Sequence, residues 1–314
     1  MPRPVNPGHP AVSVIIPAYN RAHTIGRALD SVLAQTFVDF EILVVDDGSR
    51  DGTPDLCDAR REPRLRTLRH GENRGAAAAR NTGVRAARGV WCAFLDSDDA
   101  WFPAKLERQI EFLHGRSARC RACCTGYRLL DARGSRDYLP APVERRRLLL
   151  GCDLSPGSTL LAERAVLAEV GPFDEALPRY EDWDWLLRYE RDHELAVLAL
   201  PLAVIHFSPQ RSAAGIESSA RGFLARHGAE LRTLGRLGRQ ARGLRWLEVA
   251  RYYALERRPA RFALNLARAY GNYPFYGPGS LLLLLDAWFG TRLEARALAL
   301  RDRLRRVTGR RRRA

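Results

Sequence analysis

Through the first hundred positions, apolar residues fall into short runs set between polar clusters, with helical periods in the stretches that join them. Val12 to Ile16 closes at Pro17, Phe40 to Val45 ends in Asp46-Asp47-Gly48-Ser49, and Val90 to Leu95 is bounded by Gly89 and Asp96. Runs of that length read as buried strands. Between the first two, Ile25, Ala28, Leu29, Val32 and Leu33 recur at helical spacing, with Thr24 in the capping position. Strand, helix, strand predicts a right-handed parallel crossover, so these strands end at one edge, where ligands bind in open α/β sheets.

The pattern continues with a turn and helix start over 50–58, a short strand over 64–68, an alanine-rich helix over 75–87 and a helix over 105–113. At the start of the alanine-rich helix, Asn73-Arg74-Gly75 sets basic groups and backbone N–H donors where a phosphate could sit. Farther on, Tyr180-Glu181-Asp182-Trp183-Asp184-Trp185 opens an amphipathic helix with three acids in its first turn, which the helix dipole favours. A last strand is expected over 203–207. Arginine-rich helices follow over 221–258 and 259–270, with Leu231, Leu234, Leu237, Leu244, Leu247 and Val249 as apolar faces. The fold class is therefore α/β, with a main domain over 11–212 and a basic, mainly helical extension over 213–314.

Charge sharpens this picture. The 314 residues carry a formal net charge of +15, and of 51 basic residues only Lys105 is a lysine. Such a chain suits anionic partners: nucleotide phosphates, anionic lipid headgroups or nucleic acid. A nucleic-acid binder would interleave aromatic and basic residues on a sheet. The C-terminal region offers no such interleaving beyond Tyr252 and Tyr253, so no nucleic acid is expected. An uninterrupted apolar span of bilayer length is absent from the sequence. The six cysteines, including Cys120-Arg-Ala-Cys123-Cys124, lack a second pair at zinc spacing and read as buried thiols of a reducing cytoplasm.

Against that basic background, Asp96-Ser97-Asp98-Asp99 at a strand end is conspicuous. Carboxylates packed so closely repel one another, and a hard divalent cation with oxygen ligands relieves this; an acidic turn or helix cap is the structural alternative. No Gly-x-Gly-x-x-Gly follows the first strand, which removes a dinucleotide-binding dehydrogenase.

Taken in order, Val14-Ile15-Ile16-Pro17-Ala18-Tyr19-Asn20, then Glu41 through Thr53, then Asn73-Arg74-Gly75 with Arg80-Asn81, then Phe94-Leu95-Asp96-Ser97-Asp98-Asp99 resemble a family 2 inverting glycosyltransferase of the GT-A fold. The resemblance is strong over 12–110 and would extend to about residue 210. It implies that Pro17, Ala18, Tyr19, Asn20, Asp46, Asp47, Arg74, Asp96 and Ser97 bind a nucleotide-diphosphate sugar. Asp98 would hold Mn²⁺ or Mg²⁺, with Asp96 as a second candidate ligand. The family's Glu-Asp pair falls on Glu181-Asp182, with Asp182 as the base that deprotonates the acceptor hydroxyl and Glu181 as the other candidate. Trp183 and Trp185 would offer aromatic surfaces to the acceptor, and Pro156-Gly157-Ser158-Thr159 would shape its pocket. His206, Arg211 and Ser212, at a spacing unlike the family's common one, would fold over the diphosphate. The acceptor would be a glycan or lipid-linked glycan, and the basic extension would sit on the anionic cytoplasmic face of a membrane. A nucleotide-sugar-binding protein without catalysis is the other reading.

Overall fold

The computed structural model describes residues 9–131, 134–206 and 212–275. In chain order its elements are β1 (Val12–Ala18), α1 (Ile25–Leu33), β2 (Phe40–Asp46), α2 (Thr53–Asp58), β3 (Leu65–Arg69), α3 (Ala76–Ala86), β4 (Trp91–Phe94), β5 (Ala100–Trp101) and α4 (Lys105–Leu113). Then come β6 (Ala122–Asp131), β7 (Gly134–Tyr138), α5 (Arg145–Leu150), α6 (Pro156–Thr159), β8 (Leu161–Glu163), α7 (Arg164–Val170), α8 (Glu181–Tyr189) and β9 (Leu195–His206). Three helices close the described chain: α9 (Ala213–Thr233), α10 (Gly235–Leu255) and α11 (Pro259–Asn272).

The strands form one mixed sheet in the order β3-β2-β1-β4-β8-β6-β9-β5, with β7 paired to β6. Its first half, β3-β2-β1-β4, is parallel. All seven residues of β1 and of β2 are buried, because helices cover both faces of a parallel sheet. Register fixes the functional edge: Ala18 stands opposite Asp46 and Ile15 opposite Phe94. The amide of Asp47 donates to Ala18 at 2.8 Å and that of Leu95 to Ile15 at 3.1 Å, so the three chain segments leave the sheet side by side. Ile25, Ala28, Leu29 and Val32 of α1 are buried as their spacing predicts, yet Thr24 makes no side-chain cap.

The apolar run from Leu195 belongs entirely to β9, longer than the expected 203–207, with a register shift at Thr125, Gly126 and Tyr127 of the partner strand β6. Cys92, Cys123 and Cys124 are buried on β4 and β6, and all six cysteines are free thiols. Burial pushes Cys57 up to about 11 and Cys92 and Cys123 up to about 12, so these thiols stay protonated and inert.

The chain divides into two compact units, Met1–Pro209 and Gln210–Ala314. Within the second, a left-handed Gly235 (φ 53°) splits the expected helix 221–258, so its first half joins the longer α9. Leu231 and Val249 are buried there. Glu217 of α9 accepts from Tyr253 of α10 at 2.8 Å and from Arg268 of α11 at 3.2 Å, tying the three helices together. Among the described residues no helix is long and apolar enough to cross a membrane. Arg211 and the arginine-dense end of the chain lie outside them.

Candidate active site

The left half of the edge is built by the tips of β1 and β2. Pro17 and Ala18 are buried, Tyr19 is 40% exposed, and Asn20 takes a left-handed conformation (φ 52°). The turn is locked by Asn20 itself, whose amide donates to Ser49 Oγ at 2.8 Å while its side-chain oxygen accepts from the Arg50 amide at 2.9 Å. Gly48 is needed there. At φ 75° its missing Cβ would lie 2.6 Å from the carbonyl carbon of Glu72.

Asp46 and Asp47 have opposite fates. Asp47 accepts from the amides of Arg74 (3.0 Å) and Gly75 (2.7 Å), and its Oδ1 lies 2.6 Å from His70 Nδ1. The N–H groups at the head of α3, expected for a phosphate, are therefore taken by the chain's own carboxylate, which satisfies the same preference for an anion. Asp47 is thereby spent on the fold. By contrast Asp46 accepts at 3.3 Å from the Ser49 amide through Oδ2, while its Oδ1 is buried with no hydrogen-bond partner among the described residues. A buried acceptor of this kind is free to accept from a ligand donor or a water. Arg74 is exposed, with Nη2 3.2 Å from Glu175.

Beyond β4 the chain folds its acids apart. Asp96 Oδ1 accepts from Arg80 Nη2 at 2.6 Å, and Ser97 is buried. Asp99, also buried, accepts from Ser158 Oγ at 2.5 Å and from the His206 amide at 2.8 Å, joining the ends of β4 and β9 to α6. Burial and then the neighbouring Asp96 charge push its carboxyl well above the ordinary range. Among the described residues Asp98 has no short ion pair: Arg21 Nη2 stands at 3.6 Å, and Arg27 donates to its backbone oxygen at 2.5 Å. Burial, and next the Asp96 charge, raise the Asp98 carboxyl, with Arg21 opposing.

No group of three or more His, Cys, Asp or Glu residues that could cage a metal occurs among the described residues. The donor set nonetheless fits an ion that arrives with phosphates, since Mg²⁺ is commonly held by one or two carboxylates with substrate oxygens completing the shell. Asp98 is the carboxylate with charge to offer. Asp96 is already neutralised by Arg80.

The right half of the edge is α6 and α8. Each is entered through a non-glycine residue in the left-handed region, Ser155 (φ 48°) and Tyr180 (φ 69°), conformations that cluster at functional sites. Asp182 is half-buried, and its Oδ2 accepts from the Gly157 amide at 3.1 Å. Glu181 is buried against Arg80, whose Nη1 stands 2.5 Å away. Burial pushes Glu181 up to about 7, Arg80 opposing and the nearby Asp182 adding. Burial also disfavours charge on Arg80, but Asp96, Glu181 and Asp182 outweigh it and keep the guanidinium charged.

Arg80 is thus the residue whose role the sequence reading missed. It sits mid-helix in an alanine-rich stretch, where the motif Arg80-Asn81 marked the residue without showing which carboxylates it would meet. The third acid, Asp184, is fully buried and binds Arg188 at 2.9 Å, which in turn donates to Val170 at 2.7 Å and Pro172 at 2.7 Å. It holds the approach to α8.

Two further expectations change. Trp183 and Trp185 are 3% and 0% exposed, donate to the carbonyls of Leu148 (2.8 Å) and Gly171 (3.2 Å), and pack on Tyr180 and Tyr189. They are core residues rather than open sugar platforms, because α8 is buried nearly all round, with Asp184, Leu186 and Leu187 buried beside them. Pro156-Gly157-Ser158-Thr159, expected as a loop, is the single buried turn of α6. Ser212 caps α9, accepting from the Gly215 amide at 3.1 Å, in the second unit. His206 ends β9; burial, then the Arg27 charge, lowers its imidazole below the usual value while Asp98 opposes.

A sequence-family model described as Glycosyl transferase family 2 matches residues 13–137. Among curated proteins, the chain is 32% identical over 197 residues to the Escherichia coli UDP-Glc:alpha-D-GlcNAc-diphosphoundecaprenol beta-1,3-glucosyltransferase WfgD, covering 60% of this chain and 72% of that one. It is 33% identical over 202 residues to an uncharacterized glycosyltransferase of Rickettsia prowazekii, covering 60% and 63%. The succinoglycan biosynthesis protein ExoO of Rhizobium meliloti is 43% identical over 136 residues, 43% of this chain and 39% of that protein. The aligned region thus spans less than two thirds of the length of two of these three relatives. Of solved structures, S. aureus TarS 1-349 in complex with UDP-GlcNAc superposes with a TM-score of 0.56 at 22% identity, over 84% of this chain and 91% of that one. The Pyrobaculum calidifontis mannosyltransferase PcManGT, in complex with GDP-Man and Mn²⁺, gives 0.56 at 20% identity over 93% and 81%. At those identities the likeness shows the GT-A fold.

Proposed function

The chain belongs to glycosyltransferase family 2, and on that premise we propose that it moves a sugar from a nucleotide-diphosphate sugar to an acceptor hydroxyl by a metal-dependent, inverting route. The observation that carries this reading is the Arg80 bridge. It joins the carboxylate at the end of β4 to the acid pair at the head of α8, so a donor bound at the sheet edge lies beside a half-buried carboxylate.

In this reading the tips of β1 and β2 take the nucleoside. Pro17 and Ala18 form the floor, Tyr19 and Asn20 the wall, and Asp46 supplies the open acceptor. Asp47 acts at one remove, holding the backbone that carries Arg74 toward the phosphates. Asp96 and Ser97 face the ribose side, and Asp98 would hold Mn²⁺ or Mg²⁺. Bound there, the ion would supply electrostatic stabilisation of charge on the leaving nucleotide. His206 stands by for the diphosphate beside Asp98.

Asp182 is the base that takes the acceptor proton. It is open to the site, and its carboxylate is aimed by the Gly157 amide. Glu181 is pinned by Arg80 and positions the pair. The acceptor is a glycan or lipid-linked glycan. Residues 212–275 hold twelve arginines, no lysine and four acids, a net charge of +8. A surface so charged favours an anionic leaflet, each basic residue contributing about 1 kcal/mol near it.

The test is a screen of UDP-, GDP- and dTDP-sugars for stabilisation of the full chain with and without Mn²⁺. A ligand at a hundredfold excess over its Kd adds about 2.7 kcal/mol. A sugar nucleotide that stabilises only with the ion, and is then hydrolysed or transferred, supports the reading. Stabilisation without any turnover across acceptors points to the non-catalytic alternative, and no stabilisation by any nucleotide removes both.

A further inference from the structure

Fifty of the 51 basic residues are arginine, and the one lysine is the one placed where an arginine would be intolerable. Lys105, at the head of α4, is 0% exposed. Its Nζ donates to Gln109 Oε1 at 2.6 Å and stands 4.0 Å above the Trp101 ring; no carboxylate pairs with it among the described residues. The titratable groups that face it are the thiols of Cys123 and Cys124 on β6, themselves held protonated by burial. A guanidinium cannot shed its proton, so arginine would bury an uncompensated charge here. An amine can.

Its two neighbours both reach α6. Gln109 Nε2 donates to the Thr159 carbonyl at 2.9 Å, and Trp101 Nε1 donates to the Ser158 carbonyl at 2.7 Å. That turn then makes three contacts with the site: the Gly157 amide on Asp182, Ser158 Oγ accepting from the Asp96 amide at 3.1 Å, and Ser158 Oγ donating to Asp99. A Cβ at Gly157 would stand 2.5 Å from Asp96 Oδ2, so the turn has no slack on that side.

We propose that Lys105 is a positioning residue which, through Gln109 and Trp101, sets the Gly157–Thr159 turn that aims Asp182 and braces Asp96. The amine orients the Gln109 amide by occupying its oxygen, leaving its nitrogen to hold Thr159. It fills the space above Trp101 so that the indole N–H meets Ser158. Burial pushes the amine down to about 7, in keeping with a group that works as a neutral donor.

The catalytic readout of this inference rests on the transferase reading, so the test has two arms that do not. Because Lys105 is the sole lysine, lysine-selective ¹³C and ¹⁵N labelling of the full chain gives one side-chain signal. It is expected to titrate near neutrality and to resist exchange; an ordinary lysine titration near pH 10 would overturn the neutral donor. The second arm is hydrogen exchange in Lys105→Met, which keeps the length and removes the donor. Exchange over 156–160 should rise at least tenfold while β1 and β2 stay protected, and wild-type protection of that turn would sink the proposal. If Lys105→Met fails to fold, Gln109→Leu carries the same exchange test from the other side of the link. Once a donor is known, Lys105→Met should bind UDP with Mn²⁺ within threefold of wild type yet lose tenfold or more in kcat with KM little changed. A loss confined to KM would assign the lysine to donor binding instead and reject the positioning role.

Discussion

Arg80 and Glu181, 101 positions apart in the chain, lie 2.5 Å apart in the fold, and the same guanidinium reaches Asp96 at 2.6 Å. One side chain, itself only 4% exposed, therefore fixes the distance between the proposed donor site and the proposed base. Its planar fork makes this possible, since two nitrogens can serve two carboxylates at a set angle.

Replacing Arg80 by Met leaves Glu181 buried without its cation. Breaking a buried pair from one side costs about 3–5 kcal/mol, and denaturant unfolding should show a loss in that range. Arg80→Lys should recover little of it, because a point charge cannot span both partners. A variant of wild-type stability would show that the bridge is not a structural tie.

Gly157→Ala tests the closeness of α6 to the site. The new methyl would stand 2.5 Å from Asp96 Oδ2 and 2.9 Å from Arg80 Nη2, so the turn has to move. Displacements on the order of 1 Å can lower turnover by about 10². Single-turnover rates at saturating donor check this, and an unchanged rate would mean the turn is free to shift without consequence.

For the base, Asp182→Asn keeps size and much of the hydrogen bonding but removes the proton acceptor. Donor binding should survive while transfer falls by about 10² or more. Glu181→Gln should cost less in transfer. The reverse order would exchange the two roles, and activity in both variants would place the base elsewhere.

UDP binding should need both a divalent ion and Asp98, since that carboxylate lacks a short ion pair among the described residues. Calorimetry with Mn²⁺, with chelator, and with Asp98→Ala is the check. Equal affinity in all three would remove the metal from this site.

Stability should carry the signature of Lys105. Its folded value lies near 7 against an ordinary 10.5, so between those limits the unfolded chain binds a proton that the folded chain does not. Unfolding free energy then rises with pH across that window, by at most about 1.4 kcal/mol per unit. Below pH 7 the cost of burying the charge is fully present, and above 10.5 it is gone. Lys105→Met should lack this rise, with the raised thiols contributing alike to both proteins. Parallel pH curves for the two would show that the lysine titrates normally.

Much of the first unit is written locally. The runs 12–16 and 40–45 became β1 and β2 with one or two residues added, and the helix expected at 105–113 is α4 to the residue. Strand length, helical spacing and parallel connection are short-range properties, so the edge where Tyr19, Asp46 and Asp96 emerge could be found from the chain alone. What those acids do there could not. Asp46 and Asp47 are neighbours of identical chemistry, yet Asp47 is consumed by amides 27 and 28 residues away while Asp46 keeps an open oxygen. Trp183 and Trp185 looked like surfaces and are core, and Arg80, known from its motif alone, bridges Asp96 and Glu181. Whether a polar group is free depends on partners delivered by distant strands and helices. The sequence names the groups, and tertiary packing settles which of their hydrogen bonds are already made.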